Sequence, residues 1–267
     1  MSSNRFNKIL VIDSIPEGDT NTAKRLYEDI ESYANAYQES PVPEYIRIES
    51  GEELIQVILQ CQELAISNDV YPMLHIECHG NEDGFEFANG SFLDWQELKV
   101  PLTDLNEAMR LNLMIAVAAC VGAALAKVIR MGDKAPFWGL IGPTDTAKPA
   151  ELETPYRALY QTLIKDKSSE NAIIAFEQVA KVGLYWRTTA QGLFEKGWAL
   201  YKKEYCNEVA LEKRIARMQL KSQHLDSAKL KELLQNNEPV AFERFRRNYF
   251  MCDKYPEHMA RFPVEYK

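Results

Sequence analysis

The chain has 267 residues, 46% hydrophobic and 26% charged, with 12 glycines and 12 prolines scattered along it. This ordinary globular usage argues against extended disorder and supplies one sizeable α/β core, alone or with a helical appendage. The net charge of −8 is uneven: residues 1–100 carry 19 acids and 6 bases, and the remainder 20 acids and 25 bases. The acidic front half repels nucleic acid, and a basic back half with Lys213, Arg214, Arg217, Lys221, Arg244, Arg246 and Arg247 either meets an acidic partner or solvates its helices.

Lys8–Asp13 is a short apolar run with an exit loop at Ser14–Asp19, which predicts a buried strand. Thr20 or Thr22 then caps a helix through Tyr37, with Leu26, Ile30, Tyr33 and Tyr37 as its apolar stripe. Tyr45–Ile48 alternates as a strand, and a second helix follows Gly51. Met73–Cys78 is the next strand, ending in His79-Gly80. After it, Gly84–Phe87 and Gly90–Leu93 read as a hairpin turned around Asn89-Gly90.

Helix resumes over Trp95–Met109. Leu113–Ala119 is a continuous apolar strand, Gly122–Ile129 the helix after it, and Phe137–Ile141 a fifth strand closed by Gly142-Pro143. Leu184–Thr188 interrupts the later helices as a sixth strand at a sheet edge. The predicted fold is therefore α/β: a mainly parallel sheet of about six strands flanked by helices, joined by right-handed crossovers. Residues 1–206 are assigned to this domain and residues 207–267 to a helical C-terminal extension.

Five cysteines without C-x-x-C spacing read as reduced thiols in a cytoplasm, not as a disulfide framework or zinc ribbon. The residues after Met1 lack the apolar stretch of a secretory signal. The longest run without charge or amide, Leu113–Ala126, is shorter than the roughly 20 residues that span a bilayer. A soluble protein with no membrane partner is expected.

Two strand tips carry chemistry. In a parallel sheet the carboxyl ends of neighbouring strands open onto one crevice, where the imidazole of His79 and the thiol of Cys120 can meet. A thiol is mostly protonated at neutral pH, and a neighbouring histidine supplies the base that makes it a nucleophile. The N-terminal end of the helix after Cys120 adds partial positive charge. Small residues at Ala118, Ala119, Gly122, Ala123 and Ala124 admit a substrate backbone. The amides of Gly80 and Cys120 are the candidate oxyanion donors.

His79-Gly80 after one strand, with Ala119-Cys120 and Gly122 after the next, resembles the caspase-like cysteine peptidases, including the bacterial CHAT-type members. That signature is Ala-Cys-x-Gly with its histidine roughly 50 residues upstream; here His79 lies 41 residues before Cys120. The resemblance covers about residues 8–200 and implies His79 as base and Cys120 as nucleophile of an endopeptidase acting on a protein or peptide, with an activating protein partner allowed for. The caspase glutamine two residues before the cysteine is Ala118 here, so the aspartate-binding pocket it helps shape is not carried over. Asp13, Asp94 and Asp145 are the candidate selectors of a basic side chain, although each type is commoner as a turn residue.

The other reading is a catalytically silent caspase-like interaction or regulatory module, because a single cysteine in an apolar strand is usually core packing. No metal or other cofactor is expected. His75 and His79 lie about 13 Å apart along a strand at ~3.3 Å per residue and cannot share an ion. Glu77 shares a face with His79 and reads as solvent-facing, whereas Cys78 points into packing. Lys8–Asp13 also resembles the opening of a phosphoacceptor receiver domain, but that family's third-strand aspartate is replaced by His79. No phosphate-binding glycine motif follows any strand, and the basic helices lack the features of direct nucleic-acid recognition.

Overall fold

A computed structural model of the protein describes residues 6–37, 41–221 and 226–266. In chain order the elements begin β1 (Lys8–Ser14), α1 (Thr22–Ala34), β2 (Val42–Arg47), α2 (Gly51–Asn68) and β3 (Pro72–Gly80). They continue with β4 (Gly84–Glu86), β5 (Phe92–Asp94), α3 (Trp95–Ala108), β6 (Met114–Ala118), a 3-10 helix (Gly122–Val128) and β7 (Gly139–Pro143). The remainder is α4 (Pro149–Asp166), α5 (Ser169–Val179), β8 (Tyr185–Thr189), α6 (Ala190–Tyr205), α7 (Glu208–Lys221), α8 (Ser227–Asn236), α9 (Glu238–Tyr249) and α10 (His258–Arg261).

The main sheet runs β2-β1-β3-β6-β7-β8, parallel except for β8, which closes the β7 edge antiparallel; β4 and β5 form an antiparallel ribbon on the tip of β3. The chain steps one way from β1 to β2 and then back across β1 to β3. Right-handed crossovers therefore put α1 on one face of the sheet and α2 and α3 on the other. Ile9, Val11, Met73, Met114 and Ala116 share the first face with Leu26 and Ile30 of α1 and with Tyr156, Tyr160 and Phe176 of α4 and α5. The alternate residues Leu10, Ile12, Leu74, Ile76, Ile115 and Val117 are also buried, as a sheet covered on both sides requires.

Local signals explain several element ends. Asn21, not Thr20 or Thr22, caps α1 by accepting from the Lys24 amide at 2.7 Å. Asp94 caps α3, accepting from the Gln96 amide at 2.6 Å while Glu97 reaches back to the Asp94 amide at 3.1 Å, a reciprocal capping box. Gly90, at φ 79°, turns the ribbon where Asn89-Gly90 predicts it.

The chain divides into two compact units, one of Met1–Ile129 with Pro136–Thr189 and the other of Arg130–Ala135 with Ala190–Lys267. The division falls before α6 and not after it at residue 206. The reason is aromatic packing: Phe194 and Trp198 of α6 lie against Phe242 of α9 with ring centroids 5.5 and 5.1 Å apart, and Phe194 also meets Tyr249 and Phe250. Among the described residues no helix is long and apolar enough to cross a membrane.

Because Asp94 holds a helix end, Asp94→Ala is expected to lower stability by about 1 kcal/mol in urea denaturation.

Candidate functional site

The parallel register of β3 on β6 runs from Leu74↔Ile115 to Glu77↔Ala118. Two residues beyond its last pair in each chain segment come His79, still on β3, and Cys120, in the turn that follows β6. Their backbones stay together past the end of the ladder. A Cβ on Gly80 would lie 3.0 Å from the Cys120 carbonyl oxygen and 3.1 Å from the Ala119 Cβ. His79 is half exposed, and Cys120, like Cys206, is part-exposed, whereas Cys61, Cys78 and Cys252 are buried.

Three glycines allow the strand exits to converge. Besides Gly80, Gly122 would drive a Cβ to 2.4 Å from Val117 Cγ1, and Gly142 to 2.8 Å from the Ala123 nitrogen. The turn Ala119–Gly122 is closed by a hydrogen bond from the Gly122 amide to the Ala119 carbonyl at 3.1 Å. Val121 within it sits in the left-handed region at φ 56°. A β-branched residue there is a true backbone outlier, of a kind that clusters at functional sites. The Val121 amide donates to the Asp145 carbonyl at 3.3 Å, so the loop after β7 joins the same turn.

The helix expected after Cys120 is present as a 3-10 helix of seven residues, Gly122–Val128. Its short ladder carries little of the dipole that a long helix would present to the thiol. The backbone amides remain. Asn81 donates to the Gly84 carbonyl at 3.0 Å, so the bonded pairs of the β3–β4 ladder are Asn81–Gly84 and His79–Glu86, and the amide of Gly80 faces away from β4.

The sheet order reverses between β1 and β3, and ligand sites of open α/β sheets lie at such switch points, outside the carboxyl ends of the strands. There the loop leaving β1 meets the tip of β3: His79 Nε2 lies 2.9 Å from Asp19 Oδ2. Asp19 was not among the site residues expected from sequence. Its signal is positional, as an acid in the β1–α1 loop facing the switch point. The loop is shaped by a turn over Pro16–Asp19, closed by the Asp19 amide on the Pro16 carbonyl at 3.2 Å, with Gly18 at φ 99°.

The three nominated acids are placed differently. Asp13 is fully buried; Oδ1 accepts from the Ile15 amide at 2.8 Å, and Oδ2 receives Asn21 Nδ2 at 2.7 Å, the Tyr45 hydroxyl and Arg47 Nη1 at 3.1 Å. It is committed to the fold and presents no carboxylate to a substrate. Asp94 is exposed but caps α3. Asp145 is exposed beside the Cys120 turn, with Oδ1 accepting from the Thr146 amide at 2.7 Å.

Glu77 corrects the expectation of a solvent-facing side chain: it is 2% exposed. It lies on the helix-covered face of β3, accepting at Oε1 from the Thr22 hydroxyl and standing 3.2 Å at Oε2 from His75 Nε2. His75 Nδ1 is in turn 3.0 Å from the Tyr160 hydroxyl. Burial holds His75 neutral, its pKa lowered to about 3. Burial, with the like charges of Asp13 and Glu153, pushes Glu77 well above the carboxylate range. One assignment satisfies all four groups: the Thr22 hydroxyl and a protonated Glu77 each donate, the latter to His75 Nε2, and His75 Nδ1–H donates to Tyr160.

Among the described residues no cluster of three or more histidine, cysteine or acidic side chains could hold a metal ion. No protein-family model matches the chain, and no curated protein does.

The buried acid fixes a pH dependence. Above the ordinary value of 4.5 the unfolded chain releases a proton from Glu77 that the folded protein retains, so this group costs stability progressively as pH rises toward its folded pKa. His75 acts oppositely, losing stability as pH falls from 6.5 toward 3. In Glu77→Gln the first effect is gone and the second stays. The variant's stability relative to wild type should therefore grow between pH 5 and pH 8 by up to about 1.4 kcal/mol per pH unit in urea denaturation.

Proposed function

We propose that the protein is a caspase-like cysteine endopeptidase whose nucleophile is Cys120 and whose base is His79. What supports this reading is the close approach of the two strand exits, where Gly80 packs against the Cys120 carbonyl, the part-exposed Cys120 lies in a strained turn, and His79 Nε2 is within hydrogen-bond distance of Asp19. With Nε2–H donated to Asp19, Nδ1 is the nitrogen left to take the thiol proton.

The thiolate then attacks the scissile carbonyl carbon, and the amides of Gly80 and Cys120 hold the developing oxyanion. His79 returns its proton to the leaving amine as the carbon–nitrogen bond breaks, leaving a thioester. A water molecule, deprotonated by His79, hydrolyses it and restores the thiol. Of the three nominated acids, Asp145 stands beside the cysteine turn and is the one assigned to receive a basic side chain of the substrate.

A peptide-library digest tests the reading. Cys120→Ala and His79→Ala should each abolish cleavage with little change in melting, and Asp19→Asn should lower kcat roughly tenfold at nearly constant KM. Cleavage retained in the cysteine or histidine variant overturns the proposal. If wild type cleaves nothing, and iodoacetamide labels Cys120 no faster than Cys206 at neutral pH, the silent-module reading replaces it.

Asp145→Asn should raise KM for substrates with lysine or arginine before the scissile bond and leave KM for uncharged ones unchanged.

A further inference from the structure

The buried acid has no place in the reaction just derived, yet its contacts lead toward it. Thr22, the first residue of α1, binds Glu77 three residues after Asp19 in the chain. Asn21, the cap of that helix, binds Asp13 at 2.7 Å, and Asp13 also receives the Ile15 amide at the start of the same loop at 2.8 Å. Asp13 and Glu77 are themselves register partners on adjacent strands. The loop that carries Asp19 is therefore fastened at both ends to a pair of carboxyl groups in the floor of the sheet.

We infer that Glu77, acting through Thr22 and in concert with Asp13, is a positioning residue that mounts Asp19 against His79. This rests on the proposed role of His79, but concerns where the imidazole is held. Between its fastened ends the loop is exposed, so the direction in which α1 starts sets where the Asp19 carboxylate can reach. Thr22 is 2% exposed and buried with Glu77, and among the described residues no cation joins them; the charged groups acting on Glu77 are Asp13 from β1 and Glu153 from α4. The clamp is thus a hydrogen bond between near-neutral groups in a dry site, insensitive to salt, holding a carboxylate that stands in water.

Glutamine in place of Glu77 keeps both contacts, its carbonyl accepting from Thr22 and its amide donating to His75. Alanine removes both, and Thr22→Val breaks the link with almost no change in volume.

The test reads the ring carbon–proton cross-peak of His79 in the full chain by NMR, assigned with His79→Ala. Asp19→Asn should displace the peak. Thr22→Val and Glu77→Ala should displace it along the same line, the double variant Glu77→Ala/Asp19→Asn should move it no further than Asp19→Asn alone, and Glu77→Gln should return it to the wild-type position. A peak left in place by Thr22→Val overturns the inference, as does an additive shift in the double variant; Thr22→Val keeps the test open should Glu77→Ala not fold. The spectrum requires no turnover. A protein that cleaves nothing but shows this pattern retains the mount and loses the peptidase reading, and the converse result separates them equally.

Discussion

The register of β3 is the constraint on which the rest of the site depends. Side chains alternate along a strand with period two, so a slip of one residue would exchange His75, Glu77 and His79 for Leu74, Ile76 and Cys78. Burial on both faces forbids the slip. Leu74 and Ile76 are needed in the layer opposite α1, while Met73 joins the core formed with α1 and α4. The same alternation explains why Cys78, next to His79 in sequence, is buried and inert, its thiol pushed well above the ordinary range by burial, whereas Cys120 on the neighbouring strand exit stays part-exposed.

Two carboxyl groups lie side by side in the floor beneath the site, and their surroundings divide the labour between them. Asp13 gathers a guanidinium, a phenol, an amide side chain and a backbone amide, all of them donors. The cost of that arrangement shows on Tyr45, whose hydroxyl is raised to about 12 by burial and by its bond to Asp13. Among the described residues Glu77 has a hydroxyl and an imidazole as partners and no cation, so beside a like charge the neutral acid is the stable form. Adjacent carboxyls become tolerable in a low-dielectric layer because one of them keeps its proton.

The alternation of strands and helices was legible in the sequence because long apolar runs such as Leu113–Ala119 have few other uses, and the Asn89-Gly90 turn announced its ribbon. His79 and Cys120 could be nominated because strand exits in a parallel sheet share one crevice. Glu77 could not, since a glutamate in an apolar strand looks solvent-facing until Thr22, His75 and Tyr160 are seen around it, and two of those lie on helices 55 and 83 residues away in the numbering. Asp13 failed for a related reason: a polar residue at a strand end is read as available, while its donors come from Arg47, Tyr45 and Asn21 on other elements. The unit boundary was missed because α6 follows β8 directly, and only the packing of Phe194 and Trp198 assigns it to the helical unit.

Asp19 and His79 are each about half exposed, and an ion pair in such a setting contributes little to stability. The worth of the contact must therefore lie in orientation. An imidazole at a strand tip can turn about its side-chain bonds, and one fixed acceptor selects which ring nitrogen carries the proton. An acceptor on a mobile loop would select nothing, which is why the ends of this loop are tied to groups so deeply buried. The turn Pro16–Asp19 is short enough to transmit that fixity and open enough to leave the imidazole reachable. Precision and access make opposing demands on the same few residues, and the fold meets them by separating the anchor from the contact.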